Sequence, residues 1–150
     1  MLHQDWMRMA LKQAQLAFEQ GEVPIGAVVV HNGLIIAEAH NEKEQKNDPT
    51  AHAEILVIQR ATEVLNSWRL TDAVLYVTLE PCPMCAGAIV QSRLKQLVYG
   101  AADLKGGATG SVMNVLDYKL WNHRVDVVAG VLEEECSDIL KAFFKRLRRF

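Results

Sequence analysis

Apolar positions recur along this chain with two periods, and their alternation lays out the elements. Over residues 5–20, Met7, Ala10, Leu11, Ala14, Ala17 and Phe18 follow an i, i+3, i+4, i+7 spacing, which predicts an amphipathic helix stopped at Gly21. Pro24 to His31 changes register: Ile25-Gly26-Ala27-Val28-Val29-Val30 is small and β-branched, fitting a strand buried on both faces. Asn32-Gly33 is a two-residue hairpin signal, so Leu34 to Ala39 returns as the partner strand. Gly26 and Ala27 admit two readings, a close ligand approach or ordinary sheet packing. Asn41 to Thr50 is polar and turn-rich, a loop. Asp48-Pro49 then reads as a helix opening, with the acid capping and the proline in the first turn of a helix from about Ala51 to Leu65.

The second half repeats the alternation. Ala73 to Thr78 predicts a strand broken at Glu80-Pro81, Cys82 to Ser92 a helix, and Leu97-Val98-Tyr99 a fourth strand. Asp103 to Ser111 holds Gly106, Gly107 and Gly110 around Lys105, which predicts a flexible loop over a site. Its glycines lack phosphate-loop spacing, so no nucleotide cofactor is expected. Val125 to Val128 is a last short strand. Residues 132–147 close the chain as a helix with the stripe Cys136, Ile139, Leu140, Phe143, Phe144 and Leu147, which makes Cys136 a buried thiol. A hairpin followed by alternating strands and helices predicts one α/β domain over residues 1–150, three layers α/β/α around a mixed five-stranded sheet.

Composition narrows the function classes. The 150 residues are half hydrophobic, enough for one core. No run of apolar residues reaches membrane-spanning length, and the first residues lack the basic head and apolar block of a secretory signal. The net charge of −2 hides an asymmetry, because residues 141–150 carry Lys141, Lys145, Arg146, Arg148 and Arg149 and no acid. Removing those five cations from the net leaves about −7 over residues 1–140. Such a basic tip suits either a phosphate-binding edge or simply the C-terminal pole of a helix.

The candidate chemistry lies between His52 and Cys85. His52-Ala53-Glu54 and Pro81-Cys82-Pro83-Met84-Cys85 offer one imidazole and two thiolates, each near a predicted helix start. Three protein ligands with one open position make a catalytic zinc site, whereas structural sites close all four corners. No other Cys or His lies at ligand spacing, and an iron–sulfur cluster wants four thiolates where the chain has three cysteines. Zinc acidifies water in the open position to a pKa of about 7, and Glu54 is placed to shuttle its proton. Two cysteines committed to metal favour a reducing compartment, the cytoplasm. Asn41 offers an amide to a base edge or holds a turn.

These residues resemble the zinc-dependent cytidine/deoxycytidylate deaminase superfamily. Asp48-Pro49-Thr50-Ala51-His52-Ala53-Glu54-Ile55, Thr78-Leu79-Glu80-Pro81-Cys82-Pro83-Met84-Cys85-Ala86-Gly87-Ala88, the Asp103-to-Ser111 loop and Asn122-His123-Arg124-Val125 are similar to bacterial tRNA-specific adenosine deaminases. The resemblance implies a cytidine-deaminase-like fold and one Zn2+ per subunit on His52, Cys82 and Cys85. It further implies Glu54 as proton shuttle and hydrolysis of adenosine to inosine at the wobble position of a tRNA anticodon. By the same matching, Asn41 would touch the target nucleoside and the enzyme would be a homodimer. The anticodon arm's phosphates would meet Lys105, Arg146 and Arg149. Two rivals stand beside this reading: a guanine or other small-molecule deaminase, and an RNA-binding zinc module without turnover. Glu54 separates the last, because a purely structural zinc has no use for an acid beside an open position.

Overall fold

The computed structural model describes residues 1–148. In chain order the elements are α1 (His3–Glu19), β1 (Gly26–His31), β2 (Leu34–His40), α2 (Ala53–Leu65), β3 (Val74–Leu79), α3 (Pro83–Gln91), β4 (Gln96–Ala101), β5 (Asp126–Val128) and α4 (Glu133–Leu147). One five-stranded sheet runs in the order β2-β1-β3-β4-β5. β1 pairs antiparallel with β2 and β3, while β3–β4 and β4–β5 are parallel, so the sheet is mixed as expected. Asn32 and Gly33 turn the hairpin with φ of 53° and 75°, the left-handed pair that a tight turn of this kind demands.

Strand alternation divides the core in two. Ala27, Val29, Leu75, Val77, Leu97 and Tyr99 point toward α2 and α3, where Leu56, Val57, Ala86, Ile89 and Val90 meet them. Val28, Val30, Tyr76 and Val98 point the other way, toward Met7 and Ala10 of α1 and Cys136 of α4. The three-layer α/β/α prediction therefore stands. Gly26 resolves to packing: a Cβ there would collide with Ala10 O and Ala14 N, so α1 rides directly on the strand. Cys136 is fully buried against Gly100, as its place in the stripe predicts.

Three expectations need correction. Asp48-Pro49 does not open α2; Asp48 Oδ1 instead accepts Thr50 N–H at 2.8 Å and Thr50 Oγ1 at 2.7 Å, closing a turn, and the helix begins at Ala53. The stripe of α4 is wider than its buried face. Cys136 and Phe143 are buried, but Phe144 and Leu147 are 45% and 52% exposed because they overhang a cleft and the helix edge. The Asp103–Ser111 segment is not loose. It is tied to the buried carboxylate of Glu80 by its own backbone, as the site geometry makes plain.

Candidate metal and active site

Two helix starts face one another. His52 holds the N-cap position of α2 with φ −76° and ψ 151°, and Cys82 holds that of α3 with φ −74° and ψ 173°. Neither side chain caps its own helix. Both turn toward the gap between the helices, and Cys85, one turn into α3, joins them from below. Pro83 suits the first turn of α3, where its missing N–H costs nothing.

His52 Nδ1 lies 3.6 Å from Cys82 Sγ and 3.5 Å from Cys85 Sγ. The three ligand atoms fall within 4.8 Å of one another. Zinc bonds of about 2.3 Å to sulfur and about 2.05 Å to nitrogen, meeting at a tetrahedral angle, would separate N from S by about 3.5 Å. The residues therefore fit a zinc-sized ion without rearrangement, and they could hold one. Three donors leave the fourth corner free.

The electrostatics of the site depend on burial. Glu54, 4% exposed in the first turn of α2, has its carboxyl pushed up to about 7, chiefly by desolvation, with the charge of Cys82 adding to it. Cys82 is pulled down to about 5, first by the hydrogen bond from the Cys85 thiol and then by the Cys85 backbone N–H and His52. Cys85 moves the opposite way, its proton retained by that same hydrogen bond and by burial. Without metal, the hydrogen bond between the two sulfurs favours charge on Cys82 and the proton on Cys85.

Asn41 sits just after β2, 5% exposed. Its backbone N–H donates to Ile25 O at 3.0 Å, its Oδ1 accepts Lys43 N–H at 3.3 Å, and its Nδ2 reaches Val23 O at 3.5 Å. The amide is held by long bonds that leave hydrogen-bonding capacity. Glu42 N–H donates to Ala51 O at 3.0 Å, which fastens this loop beside His52. Val23 also lines a cleft of about 620 Å³ with Leu79, Asp103, Lys105, Leu140 and Phe144. Lys105 is thus on a cleft wall that adjoins both Asn41 and the strand end leading to Cys82. Arg146 is placed elsewhere, its guanidinium 5.4 Å over the Phe18 ring of α1. Arg149 lies outside the described residues.

Sequence reasoning missed two buried carboxylates. Glu80, 2% exposed, accepts N–H bonds from Asp103 at 3.0 Å, Thr109 at 3.1 Å and Ser111 at 3.0 Å, and the Ser111 and Thr109 hydroxyls also donate to it. Burial pushes its pKa up, but the bonds from Ser111, Asp103 and Thr109 outweigh that and hold the carboxyl below its ordinary range. Gly107 packs flat on the carboxylate, where any Cβ would collide with it. Ala108 N–H donates to Pro81 O at 2.9 Å, zipping the loop to the segment that carries Cys82. Glu22, 1% exposed, likewise accepts the N–H groups of Glu44 at 3.0 Å and Gln45 at 2.6 Å, fixing the loop after Asn41. The available signal was an acid at a strand or helix end facing a turn-rich loop.

An α/β/α domain with a His/Cys/Cys set between two helix starts and a buried glutamate beside it has the make-up of a hydrolytic deaminase of the cytidine-deaminase-like class. The chain belongs to the MafB19-like deaminase family, whose pattern it matches over residues 1–148. It is 57% identical over 144 residues, 96% of this chain and 89% of the relative, to a tRNA-specific adenosine deaminase of Bacillus subtilis (strain 168). A solved structure from studies of A-to-I editing by tRNA:A34 deaminases is 48% identical with a TM-score of 0.88, covering 91% of this chain and 99% of that one. A guanine deaminase structure from Bacillus subtilis is 34% identical with a TM-score of 0.67, covering 100% of this chain and 96% of that one.

Proposed function

We propose that this protein hydrolyses adenosine to inosine at the wobble position of a tRNA anticodon, with His52, Cys82 and Cys85 holding one Zn2+ and Glu54 moving the protons. The observation that carries the reading is Glu54, a carboxyl kept near neutrality by burial beside a three-donor set with a free corner. Identity of 57% to a relative named tRNA-specific adenosine deaminase supports the substrate. Zinc, when bound, supplies the Lewis acidity that makes water a nucleophile at neutral pH. With the metal bound, Glu54 would accept a proton from the attacking water and deliver it to the purine ring nitrogen next to the amino-bearing carbon, as the water oxygen bonds to that carbon. It would then pass the second water proton to the amino group, and the carbon–nitrogen bond would break as ammonia leaves. Burial, which raises the proton affinity of the Glu54 carboxyl, suits one group to both the uptake and the delivery.

Asn41, held by long bonds at the cleft edge, is the side chain we assign to the target nucleoside. Lys105 on the cleft wall and Arg146 on α4 are assigned to RNA phosphates, and the same role is expected of Arg149. An anticodon loop is already unpaired, so turning one base into the pocket costs little. Homodimer formation is supported by Met84, Val112, Met113, Tyr118 and Leu120, large apolar side chains left 38–76% exposed. The free thiols Cys82, Cys85 and Cys136 suit a reducing cytoplasm, and no helix among the described residues is long and apolar enough to cross a membrane.

The guanine deaminase likeness supports a second reading, turnover of a free purine base. Incubating zinc-loaded protein separately with unmodified tRNA, adenosine and guanine, and detecting products by mass spectrometry, tests both. Inosine in tRNA alone supports the proposal. Xanthine from guanine with tRNA untouched replaces it by the second reading.

A further inference from the structure

We infer that the cleft between Trp68 and His123 is a second RNA-binding surface that takes backbone phosphates of the tRNA stem, remote from the reacting base. It lies at the far end of α2 from the metal-binding group. That helix runs Ala53–Leu65, 13 residues or about 20 Å at 1.5 Å per residue, and α3, 9 residues or about 14 Å, runs from Cys82 toward Arg93 beside it.

Five side chains line the cleft, Arg69, Thr71, Arg93, Asn122 and His123, and none is acidic. Its volume is about 420 Å³. The guanidinium carbons of Arg69 and Arg93 lie 4.9 and 5.7 Å from the ring centroid of one tryptophan, Trp68, which is 58% exposed. Two cations brought to one indole repel each other, and an anion between them would relieve that repulsion. Among the described residues, neither arginine has a carboxylate within 4.0 Å; the four ion pairs are made by Arg8, Lys46, Arg60 and Arg124.

The backbone beneath is rigid. Leu70 N–H donates to Ser92 O at 2.7 Å and Lys95 N–H to Ala73 O at 3.0 Å, which locks the turn after α2 to the turn after α3. His123 Nε2 bonds to Leu94 O at 2.6 Å, fixing the third side. Arg93 sits at φ +63°, the left-handed position that commonly ends a helix, just past the C-cap of α3 at Ser92. That conformation lets its Nη1 donate to Val90 O at 3.0 Å and Gln91 O at 3.2 Å, while the rest of its five-donor fork stays available. Guanidinium forks backed by an aromatic ring match the planar, bidentate recognition of phosphate.

RNA is the ligand of choice over a free anion because this chain is read as acting on tRNA, and the inference rests on that reading. A duplex stem carries a phosphate every few ångströms along each strand, so a stem leading away from a loop at the metal end spans that separation with several to spare.

The test compares the full-length protein with Arg69→Gln/Arg93→Gln and Arg69→Lys/Arg93→Lys. Each is zinc-loaded and titrated with a tRNA transcript bearing adenosine at the wobble position, over a range of salt. Inosine formation by the unsubstituted protein is measured first; its absence refutes the tRNA reading itself. With that established, the glutamine pair should bind more weakly, with a slope of log K against log salt shallower by about 2, one for each phosphate no longer neutralised. The lysine pair should recover most of the slope, since point charges also bind phosphate. Single-turnover inosine formation at saturating protein should be unchanged in both. An unaltered salt slope, or a slope change accompanied by a change in oligomeric mass, overturns the inference and makes the cleft a packing or subunit surface.

Discussion

Replacing Glu80 by alanine removes a carboxylate whose oxygens receive three backbone N–H groups, from Asp103, Thr109 and Ser111, all within 3.1 Å. Hydrogen bonds to a charged acceptor contribute about 1.5–3 kcal/mol each, and an orphaned buried donor costs about 1–3 kcal/mol. The loop can open partly to water, so the three together should lose about 3–5 kcal/mol rather than the full sum. Glu80→Gln keeps the shape but turns an amide NH2 toward N–H donors, and should lose about 2–3 kcal/mol at neutral pH. The sign with pH follows from the depressed pKa. A carboxyl held below its ordinary 4.5 stabilises the fold fully above that value and loses its contribution as pH falls through the folded pKa. The gap between wild type and Glu80→Gln should therefore narrow steadily below pH 4.5. Urea denaturation at pH 7, 5 and 3.5 reads both quantities. An alanine variant within 1 kcal/mol of wild type, or a glutamine gap independent of pH, would refute the anchoring role.

Other outcomes follow from neighbouring geometry. Gly100→Ala should cost about 1–3 kcal/mol of unfolding free energy, because its Cβ would collide with Cys136 Sγ and sit 3.0 Å from Thr78 O. A neutral thermal scan would contradict the packing of α4 on β4. Zinc titrated into metal-free protein at pH 8 should release protons on binding, since the Cys85 thiol must give up its proton to ligate. Calorimetry in buffers of different ionisation enthalpy measures this, and binding with no net proton release would contradict Cys85 as a ligand. Tyr76, pushed up to about 12 by burial and bonded to His3 Nδ1 at 2.7 Å, should ionise two decades above a free phenol. Its folded pKa is raised, so its contribution is intact below pH 10 and disappears as pH climbs to 12. An ultraviolet titration with every tyrosine ionising near pH 10 would be inconsistent with that burial.

Much of the fold was legible because local and tertiary preferences agree. Asn32-Gly33 has one good conformation between two apolar runs, and Met7, Ala10, Ala14 and Ala17 bury the face their spacing predicts. The group of His52, Cys82 and Cys85, which could hold a metal ion, was legible because both of its halves are short local motifs at helix starts. What escaped the sequence is non-local. Nothing at Glu80 announces that a loop some 23–31 residues away will fold its N–H groups onto that carboxylate, so glycines that lie flat against it read as flexibility. Asp48-Pro49 carries a sound helix-opening signal, yet Thr50 outcompetes the helix for the Asp48 carboxylate. The exposed half of the α4 stripe reads as core by periodicity alone, and only the cleft beside it explains Phe144.

Everything proposed for the active site turns on Glu54 moving protons at a metal held by His52, Cys82 and Cys85, on an adenosine in tRNA. The decisive assay is inosine by mass spectrometry in unmodified tRNA incubated with zinc-loaded protein, beside Glu54→Gln with its metal content verified. Inosine is expected at the wobble position, reduced by about 10²–10⁴-fold in the variant at equal zinc occupancy. Equal inosine from both proteins would contradict the assignment of Glu54, and none from either would contradict the assignment of the substrate.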